Sequence, residues 1–284
     1  MVSMENMRFG YGKEALFDGL SLKMERGNIY GLLGLNGAGK TSLLRLIAGL
    51  LFPNSGTIRV LDGEPARREP GWLSRIYMIP EELNTPSVSE KEYIAGRAPF
   101  YPNFNFDQLE RCLAEFEVPR NRRLNKLSHG QKKKFFLAFG LASGSEILIL
   151  DEPTNGLDIP TKILFRRLVA EAMSDNRLVI ISTHQVRDVD SLIDPITILH
   201  SGKVIFEHSM AEVQQGIHIT RTPAPPDSST EGLLYTQSAV GGYWNVWAGP
   251  DEENGPIDLE ILFNTIISKP DIVSNLLSAK GEQV

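Results

Sequence analysis

The loop Gly34–Thr41 carries the residue types that a bound phosphate group needs. Its sequence, GLNGAGKT, fits the pattern G-x-x-x-x-G-K-[ST] in full. Glycines let backbone N–H groups converge on phosphate oxygens where a Cβ would obstruct them, and a helix after the loop points its positive end at the same anion. Lys40 can then bridge the β- and γ-phosphates, and the Thr41 hydroxyl can ligate Mg²⁺. The loop predicts a mononucleotide site but does not say which phosphate chemistry follows.

Two acids at the end of an apolar run narrow that chemistry. Ile147–Leu150 is followed directly by Asp151 and Glu152. A carboxylate at the carboxyl end of such a strand is where Mg²⁺ is held, which suits Asp151. Glu152 could accept a proton from an attacking water. Together with the loop, the pair predicts hydrolysis of the bound nucleotide.

Four further motifs resemble those of one known family. The LSHGQ segment Leu127–Gln131 resembles the signature sequence that defines ABC ATPases. Thr154–Asp158 resembles the family's D-loop, Ser182–His184 ends in a residue that matches its switch histidine, and Tyr11 matches the aromatic residue that stacks on adenine. Residues 1 to about 215 carry these motifs in family order. The chain is therefore similar to the ATP-binding subunit of an ABC transporter.

The resemblance implies a mechanism shared by two chains. Two cassettes sandwich two ATP molecules, each lying on the phosphate loop of one chain and the signature of the other. Glu152 would polarise the attacking water, His184 would hold that water and the γ-phosphate, and Asp158 would link the two sites. The implied ATP-binding residues are Tyr11, Gly34, Leu35, Asn36, Gly37, Ala38, Gly39, Lys40, Thr41 and Ser42, the catalytic residues Lys40, Glu152 and His184, and the signature in trans Ser128, His129, Gly130 and Gln131.

The sequence departs from the family pattern at two positions. Glu81 takes the place of a glutamine that the family usually has between the core and its helical subdomain. A carboxylate can still ligate Mg²⁺, so the implied metal ligands are Thr41, Asp151 and Glu81, although Glu81 would add negative charge beside the γ-phosphate. His129 stands where glycine is commoner, while Gly130 keeps the backbone contact. The implied cofactors remain ATP and Mg²⁺.

Short apolar segments separated by turns predict the elements that must position these residues. The expected strands are Met7–Tyr11, Leu20–Met24, Asn28–Leu33, Thr57–Leu61, Ile147–Leu150, Leu178–Ser182, Ile196–Leu199 and Lys203–Glu207, and the expected helices lie over Leu43–Leu50, Phe106–Phe116, Lys162–Ala172 and Asp258–Ile267. The strand–helix–strand order between residues 147 and 182 implies a parallel pair with a crossover connection.

The predicted fold class is α/β: a P-loop NTPase core with a mixed sheet, an N-terminal antiparallel β subdomain, an inserted helical subdomain and a small C-terminal extension. Prolines punctuate amphipathic stretches from Trp72 to Phe139, which places the helical subdomain at about residues 81–140 of an ABC ATPase domain, residues 1–215. Residues 216–284 form an accessory region. It contains a Pro/Ser-rich loop at Thr222–Thr230, and Asp258–Phe263 resembles the terminal helix of exporter-type ABC-2 cassettes.

Composition and the distribution of apolar residues limit where the chain can be located and which partners it can bind. The 284 residues carry a net charge of −6 with a pI near 5.5, which argues against nucleic acid because phosphate neutralisation favours a basic surface. No apolar run reaches the roughly 18 residues that span a bilayer, and Met1–Glu5 does not resemble a signal peptide. The single Cys112 fits a reducing compartment and a small buried apolar residue. We expect a cytoplasmic chain, peripheral on the inner face of the cell membrane through an integral-membrane permease.

Three functions compete at this stage. The leading interpretation is an ATPase that drives a separate permease and pairs with a second cassette, expected to be an identical chain, with Pro86–Tyr93 forming part of the permease surface. The second is a soluble ABC ATPase acting on DNA or the ribosome; acidic pI argues against it, and Lys132–Lys134 is interpreted as a solvated helix face. The third is an ATP-gated clamp with poor turnover, against which Glu152 and His184 argue. The signature segment excludes a phosphate-loop kinase.

Overall fold

A computed structural model describes residues 1–227, 229–250 and 257–270. Its β-strands are β1 (Val2–Tyr11), β2 (Glu14–Met24), β3 (Ile29–Leu33), β4 (Ser55–Val60), β5 (Ile76–Ile79), β6 (Ile147–Asp151), β7 (Leu178–Thr183), β8 (Ile196–His200), β9 (Lys203–His208), β10 (Ile217–Thr222), β11 (Leu233–Ala239) and β12 (Gly242–Ala248). Its α-helices are α1 (Lys40–Ile47), α2 (Pro70–Leu73), α3 (Glu90–Arg97), α4 (Phe106–Glu115), α5 (His129–Ala142), α6 (Ile159–Glu171), α7 (Met210–Gly216) and α8 (Leu259–Ser268).

A six-stranded sheet positions the phosphate loop, the acids and the histidine at one edge. Its strand order is β5-β6-β7-β3-β8-β9, parallel throughout except for β9. Every residue of β3, β6 and β7 is buried, as expected for parallel strands covered on both faces. Because Leu33 pairs with Thr183 and Asp151 with Ser182, the segments that follow these three strands begin side by side.

An antiparallel sheet of order β2-β1-β4 forms the predicted N-terminal subdomain. Apolar side chains alternate along β2, where Leu20, Leu22 and Met24 are buried, which is the pattern of a strand with one buried face. This face shares a core with α1, the helix that follows the phosphate loop. The sheet therefore holds β1, which ends at Tyr11, close to the loop.

The insertion between β5 and β6 is helical, as expected, but it is preceded by a strand that the sequence analysis missed. Residues 76–79 form β5 at one edge of the central sheet; four residues are too few to show a strand period. Aromatic rings anchor α5 to this strand, with the Phe139 ring 5.4 Å from that of Tyr77 and 5.3 Å from that of Tyr93. This packing fixes the start of α5 relative to the sheet.

The C-terminal region contains a sheet that the sequence analysis did not predict. Strands β10, β12 and β11 pair antiparallel in that order, and the predicted loop joins β10 to β11, with Ser228 outside the described residues. Helix α8 matches the predicted helix and is capped at its N-terminus by Asp258, whose carboxylate accepts hydrogen bonds from the N–H groups of Glu260 and Ile261. The division of the chain at residue 215 stays a prediction.

Within the described ranges, no helix combines the length and the apolarity that spanning a membrane requires. The fold class is confirmed: an α/β core with a mixed sheet, an antiparallel β subdomain, an inserted group of helices and a small C-terminal extension.

Candidate nucleotide-binding and hydrolytic site

The glycines of the phosphate loop are required for different physical reasons. A Cβ at Gly34 would lie 2.5 Å from the Leu199 carbonyl oxygen, closer than any real contact. Gly37 has a φ of +80° in open space, a backbone conformation that side chains disfavour. Gly39 combines both reasons, since its φ is +106° and a Cβ there would lie 2.8 Å from the Phe17 ring. The loop conformation is therefore set by the surrounding strands as well as by its own sequence.

Lys40 begins α1 and folds back over the loop. Its Nζ donates hydrogen bonds to the carbonyl oxygens of Gly34, at 2.8 Å, and Leu35, at 3.3 Å. It also lies 3.8 Å from Oε1 of Glu152. Burial lowers the pKa of Lys40, while Glu152, Asp151 and Glu81 act in the opposite direction. The ammonium group therefore lies among the carboxylates of the site.

Thr41 and Asp151 are brought into contact although 110 residues separate them in sequence. The Thr41 hydroxyl donates to Oδ2 of Asp151 at 2.8 Å, and the Ser182 hydroxyl donates to Oδ1 at 2.6 Å. This oxygen-only pair fits Mg²⁺, a hard cation bound by a few protein oxygens together with phosphate and water. The described residues contain no group of three or more His, Cys, Asp or Glu side chains that could hold a metal by itself.

Glu152 and His184 form the centre of the predicted hydrolytic chemistry. Oε1 of Glu152 lies 2.8 Å from Nδ1 of His184. Glu152 is only 4% exposed, and its backbone N–H donates to the Ser182 hydroxyl at 3.1 Å. Its Oε2 is buried and has no hydrogen-bond partner among the described residues. One carboxylate oxygen is thus hydrogen bonded to His184, and the other is bound by no donor among the described residues.

A pocket of about 340 Å³ collects most of the predicted ATP-binding residues. It is lined by Tyr11, Leu16, residues 36–42, Glu81 and Glu152. Tyr11 is 55% exposed, and its hydroxyl lies 3.0 Å from that of Ser42. The exposed ring is free to stack on a flat base, which is the role that the sequence analysis gave to it.

Glu81 is tied to His184 through two residues that the sequence analysis did not assign. The Asn155 side chain donates from Nδ2 to Oε1 of Glu81 at 3.0 Å and accepts at Oδ1 from Gln185 at 3.3 Å. Gln185 Nε2 in turn lies 3.5 Å from Nε2 of His184. Asn155 lies within the segment that resembles the D-loop, and Gln185 follows the predicted switch histidine, so their positions and polar side chains hinted at a role. The sequence does not show which residues they contact, because that depends on the fold.

The signature segment lies at the start of α5 and does not line the pocket of its own chain. Ser128 caps the helix: its hydroxyl accepts from the Gln131 N–H at 3.2 Å, and Gln131 Oε1 accepts from the Ser128 N–H at 3.0 Å. His129 is exposed and Gly130 is half-buried. This places them where a ligand from outside the chain can reach them.

Asp158 serves the structure of its own chain as the N-terminal cap of α6. Its carboxylate accepts a hydrogen bond from the Thr161 N–H at 2.9 Å, and hydrogen bonding to Thr161 lowers the pKa of Asp158. The side chain is otherwise exposed. Its predicted role in linking two sites stays a prediction.

The expectation for Lys132–Lys134 is wrong at its central residue. Lys132 and Lys134 are half-buried, but Lys133 has 0% exposure. Its Nζ donates to the carbonyl oxygens of Glu152, at 2.6 Å, and Asn155, at 3.2 Å. Helix α5 is buried on all sides from Phe135 onwards, so its second turn already enters the interior. The apolar run that follows Lys134 was the sequence feature that could have predicted the burial of Lys133.

Comparisons with known proteins place this geometry in a family. The sequence model of the family described as ABC transporter matches residues 17–155. ABC transporter ATP-binding protein YtrB of Bacillus subtilis is 30% identical over 206 residues, which are 72% of this chain and 70% of the relative. Nod factor export ATP-binding protein I of Burkholderia lata is 30% identical over 243 residues, or 82% of this chain and 80% of the relative.

Solved structures share the fold. The ATP-binding subunit of an ABC transporter superimposes with a TM-score of 0.68 at 23% identity, over 75% of this chain and 92% of the other. A dimeric bacterial ABC transporter cassette gives 0.64 at 21% identity, over 74% of this chain and 99% of the other, and the cassette has also been solved in a post-hydrolysis state with ADP and Pi. This chain therefore belongs to the ABC transporter family, as an ATP-binding cassette of the ABC ATPase type.

Proposed function

We propose that this chain is the motor subunit that binds and hydrolyses ATP to power transport by a separate membrane permease. The observation that carries the proposal is that Lys40, Thr41 and Glu152 line one pocket, with Asp151 in contact with Thr41 and His184 in contact with Glu152. Phosphoryl transfer needs positioning and charge stabilisation more than covalent chemistry. These residues supply a cation, oxygen ligands and a base.

The residues divide the hydrolysis of ATP among them. Backbone N–H groups of residues 36–41 would bind the phosphates, and Lys40 would neutralise their charge. Thr41, Asp151 and Glu81 would hold Mg²⁺, which supplies further charge neutralisation at the β- and γ-phosphates when bound. Oε2 of Glu152 would take a proton from the water whose oxygen bonds to the γ-phosphorus, and the bond from that phosphorus to the β,γ-bridging oxygen breaks as ADP leaves. His184, fixed by its contact with Oε1, would hold the water and the γ-phosphate.

A second copy of the cassette would complete each site. Ser128–Gln131 lies outside the pocket of its own chain, at the N-terminus of the 14-residue helix α5. Such an end attracts anions through its unpaired N–H groups and its dipole. The γ-phosphate bound by one copy is the anion that we propose for the α5 of the other, so that ATP holds the pair together and hydrolysis removes that attraction. The dimeric cassette with a similar fold supports this arrangement.

We place the permease contact beside Glu81 and the inserted helices. A cavity of about 400 Å³ is lined by Arg45, Leu50, Leu51, Met78, Pro80 and Glu82, and two apolar side chains, Leu50 and Phe52, are each about half exposed. Together with the predicted segment Pro86–Tyr93, this surface would hold the chain on the inner face of the cell membrane. Relatives named for Nod factor export support export as the direction of transport.

The first experiment tests the hydrolytic site. Wild type, Glu152→Gln and the exposed control Glu5→Gln are purified, and ATP turnover and ATP-dependent dimerisation are measured with Mg²⁺. We expect the wild type and the control to hydrolyse ATP, and Glu152→Gln to bind ATP, lose turnover and accumulate as a dimer. Equal turnover by Glu152→Gln and wild type would remove Glu152 from the mechanism.

The second experiment tests the permease. The tagged chain is isolated from membranes of its own host after mild crosslinking, in parallel with Leu50→Asp, which places a charge on the proposed contact surface. We expect an integral-membrane protein to be crosslinked to the wild type and largely lost from Leu50→Asp. Recovery of ribosomes or DNA instead would favour the soluble alternative, and ATP turnover by Leu50→Asp alone checks that the variant is folded.

A further inference from the structure

Lys133 is a buried cation to which neither the motifs nor the proposed chemistry gives a role. Its side chain is completely buried, and it donates only to two main-chain oxygens, those of Glu152 and Asn155. Within the described chain no carboxylate lies within ion-pair distance of its ammonium group. Burial of an ammonium group without a charged partner costs free energy. A lysine with a purely structural role at this position would therefore be unfavourable.

The carbonyl that Lys133 binds belongs to a residue with an unusual backbone. Glu152 has a φ of +46°, a left-handed conformation that side chains with a Cβ rarely adopt. Such a conformation persists only where neighbouring groups hold it. Here Lys133 binds the Glu152 carbonyl oxygen at 2.6 Å, and the Ser182 hydroxyl binds its N–H at 3.1 Å. Both sides of the residue that carries the hydrolytic carboxylate are thus held.

The same helix start contacts the chain just beyond Glu152. A Cβ on Gly130 would lie 3.4 Å from the Gly156 carbonyl oxygen, and a Cβ on Gly156 would lie 3.1 Å from the His129 ring. The first turn of α5 therefore rests on the turn 152–156, and Lys133, one turn later, is hydrogen bonded to it. We therefore expect a displacement of α5 to move the Glu152 backbone as well.

We propose that Lys133 is a positioning residue that holds the Glu152 carboxylate in its hydrolytic orientation and ties it to the helix that carries the signature segment. The inference rests on the proposed function, in which Glu152 accepts the proton and α5 meets the ATP of a second copy. Lys133 itself touches no reacting atom and transfers no proton. When α5 binds the ATP of the second copy, Lys133 would transmit that contact to the Glu152 carboxylate, which acts on the ATP bound by its own chain.

The test compares Lys133→Met with Lys133→Gln and with Lys132→Met. Methionine keeps the unbranched side chain up to the ε position and removes the donor, and glutamine restores a donor with shorter reach. Lys132 is the half-buried neighbour without a side-chain hydrogen bond or ion pair in the described residues. Each purified variant is measured for kcat, KM, thermal midpoint, affinity for a fluorescent ATP analogue and ATP-dependent dimerisation. Glu152→Gln is measured beside them.

We expect kcat of Lys133→Met to fall at least about tenfold while nucleotide affinity stays near wild type, and the ATP-bound dimer to accumulate as in Glu152→Gln. Lys133→Gln should recover part of kcat, and Lys132→Met should match wild type. An unchanged kcat in Lys133→Met, or a reduced kcat without dimer accumulation, overturns the inference while the proposed function stands. Full turnover by Glu152→Gln would overturn both.

Discussion

Nδ1 of His184 lies 2.8 Å from Oε1 of Glu152, across the ends of two neighbouring parallel strands. The contact engages one oxygen of a carboxylate that is 4% exposed and leaves the buried Oε2 without a hydrogen-bond partner in the described structure. A general base needs an oriented acceptor within reach of its proton donor. The histidine fixes that orientation, so loss of the imidazole should reduce the rate of ATP hydrolysis more than the affinity for ATP.

His184→Ala should therefore reduce kcat for ATP hydrolysis by about a hundredfold or more, the usual range for general acid–base assistance. Nucleotide affinity should change little, because Lys40 and the loop are untouched. Steady-state kinetics with a separate binding titration separate the two effects. His208→Ala, a histidine on β9 paired with Glu212, is the control and should retain wild-type kcat. Equal losses in both variants would point to a folding defect.

The exposed ring of Tyr11 gives a prediction for nucleotide affinity. Stacking of a base on an aromatic ring contributes about 1–3 kcal/mol, so Tyr11→Ala should weaken ATP binding by that amount. Tyr11→Phe keeps the ring and loses only the hydroxyl contact with Ser42, and its affinity should stay close to wild type. Equilibrium titration with ATP decides the matter, since a weak Tyr11→Phe would assign the role to the hydroxyl instead.

Substitution of Glu81 by glutamine separates the effect of its negative charge from the effect of its hydrogen bond with Asn155. Glu81→Gln keeps an oxygen for the Asn155 side chain, 3.0 Å away in the wild type, and removes the negative charge proposed to help hold Mg²⁺. We expect the Mg²⁺ concentration for half-maximal turnover to rise several-fold, since ligand charge sets the affinity of hard-cation sites. Glu5→Gln serves as the exposed control. An unchanged Mg²⁺ requirement would take Glu81 out of the metal site.

Ser182 supports both acids at once and should matter for stability. Its hydroxyl donates to Asp151 and accepts from the Glu152 N–H, at 2.6 and 3.1 Å. Ser182→Ala leaves both groups buried without this partner, so we expect the free energy of unfolding to fall by about 1–3 kcal/mol. Denaturant unfolding monitored by fluorescence provides the measurement. Ser191→Ala, at an exposed position, should be neutral, and a neutral Ser182→Ala would show that water replaces the hydroxyl.

Cys112 gives a prediction about pH. Burial raises the pKa of its thiol from 9.0 to about 11, so between these values the unfolded chain has lost a proton that the folded chain keeps. Because the folded state then binds more protons, stability falls as pH rises from about 9 to 11. Relative to Cys112→Ala, we expect the wild type to lose roughly 2 kcal/mol over this interval. Parallel unfolding curves for the two proteins would contradict the assignment.

The same burial protects the thiol from reagents. The Cys112 side chain has no exposed surface, and the thiolate is the reactive form. At pH 8 we expect labelling by a maleimide to follow the rate of unfolding and to become immediate in denaturant. Rapid labelling of the native protein would show that α4 opens locally.

The sequence by itself determined the family of this protein and predicted the chemistry of its candidate site. The run Gly34–Thr41, the acids after β6 and the histidine after β7 are local patterns, because phosphate binding by a loop and strand ends depends on residues close together in the chain. The fold class followed from the resemblance of these motifs to ABC ATPases together with the order of apolar segments and turns. The terminal helix was predicted from the acidic and apolar residues of Asp258–Phe263, which resemble the last helix of exporter-type cassettes.

Tertiary structure alone decided which of these residues act on each other. The Thr41–Asp151 contact joins positions 110 residues apart, and only sheet order makes them neighbours. The burial of Lys133 depends on α5 entering the interior within its second turn. A run of three lysines predicts an exposed face instead, so only the packing of the helix shows this burial. Strands β10 to β12 also escaped prediction, because their mixed polar and aromatic residues become strand-like only when paired and packed against α8.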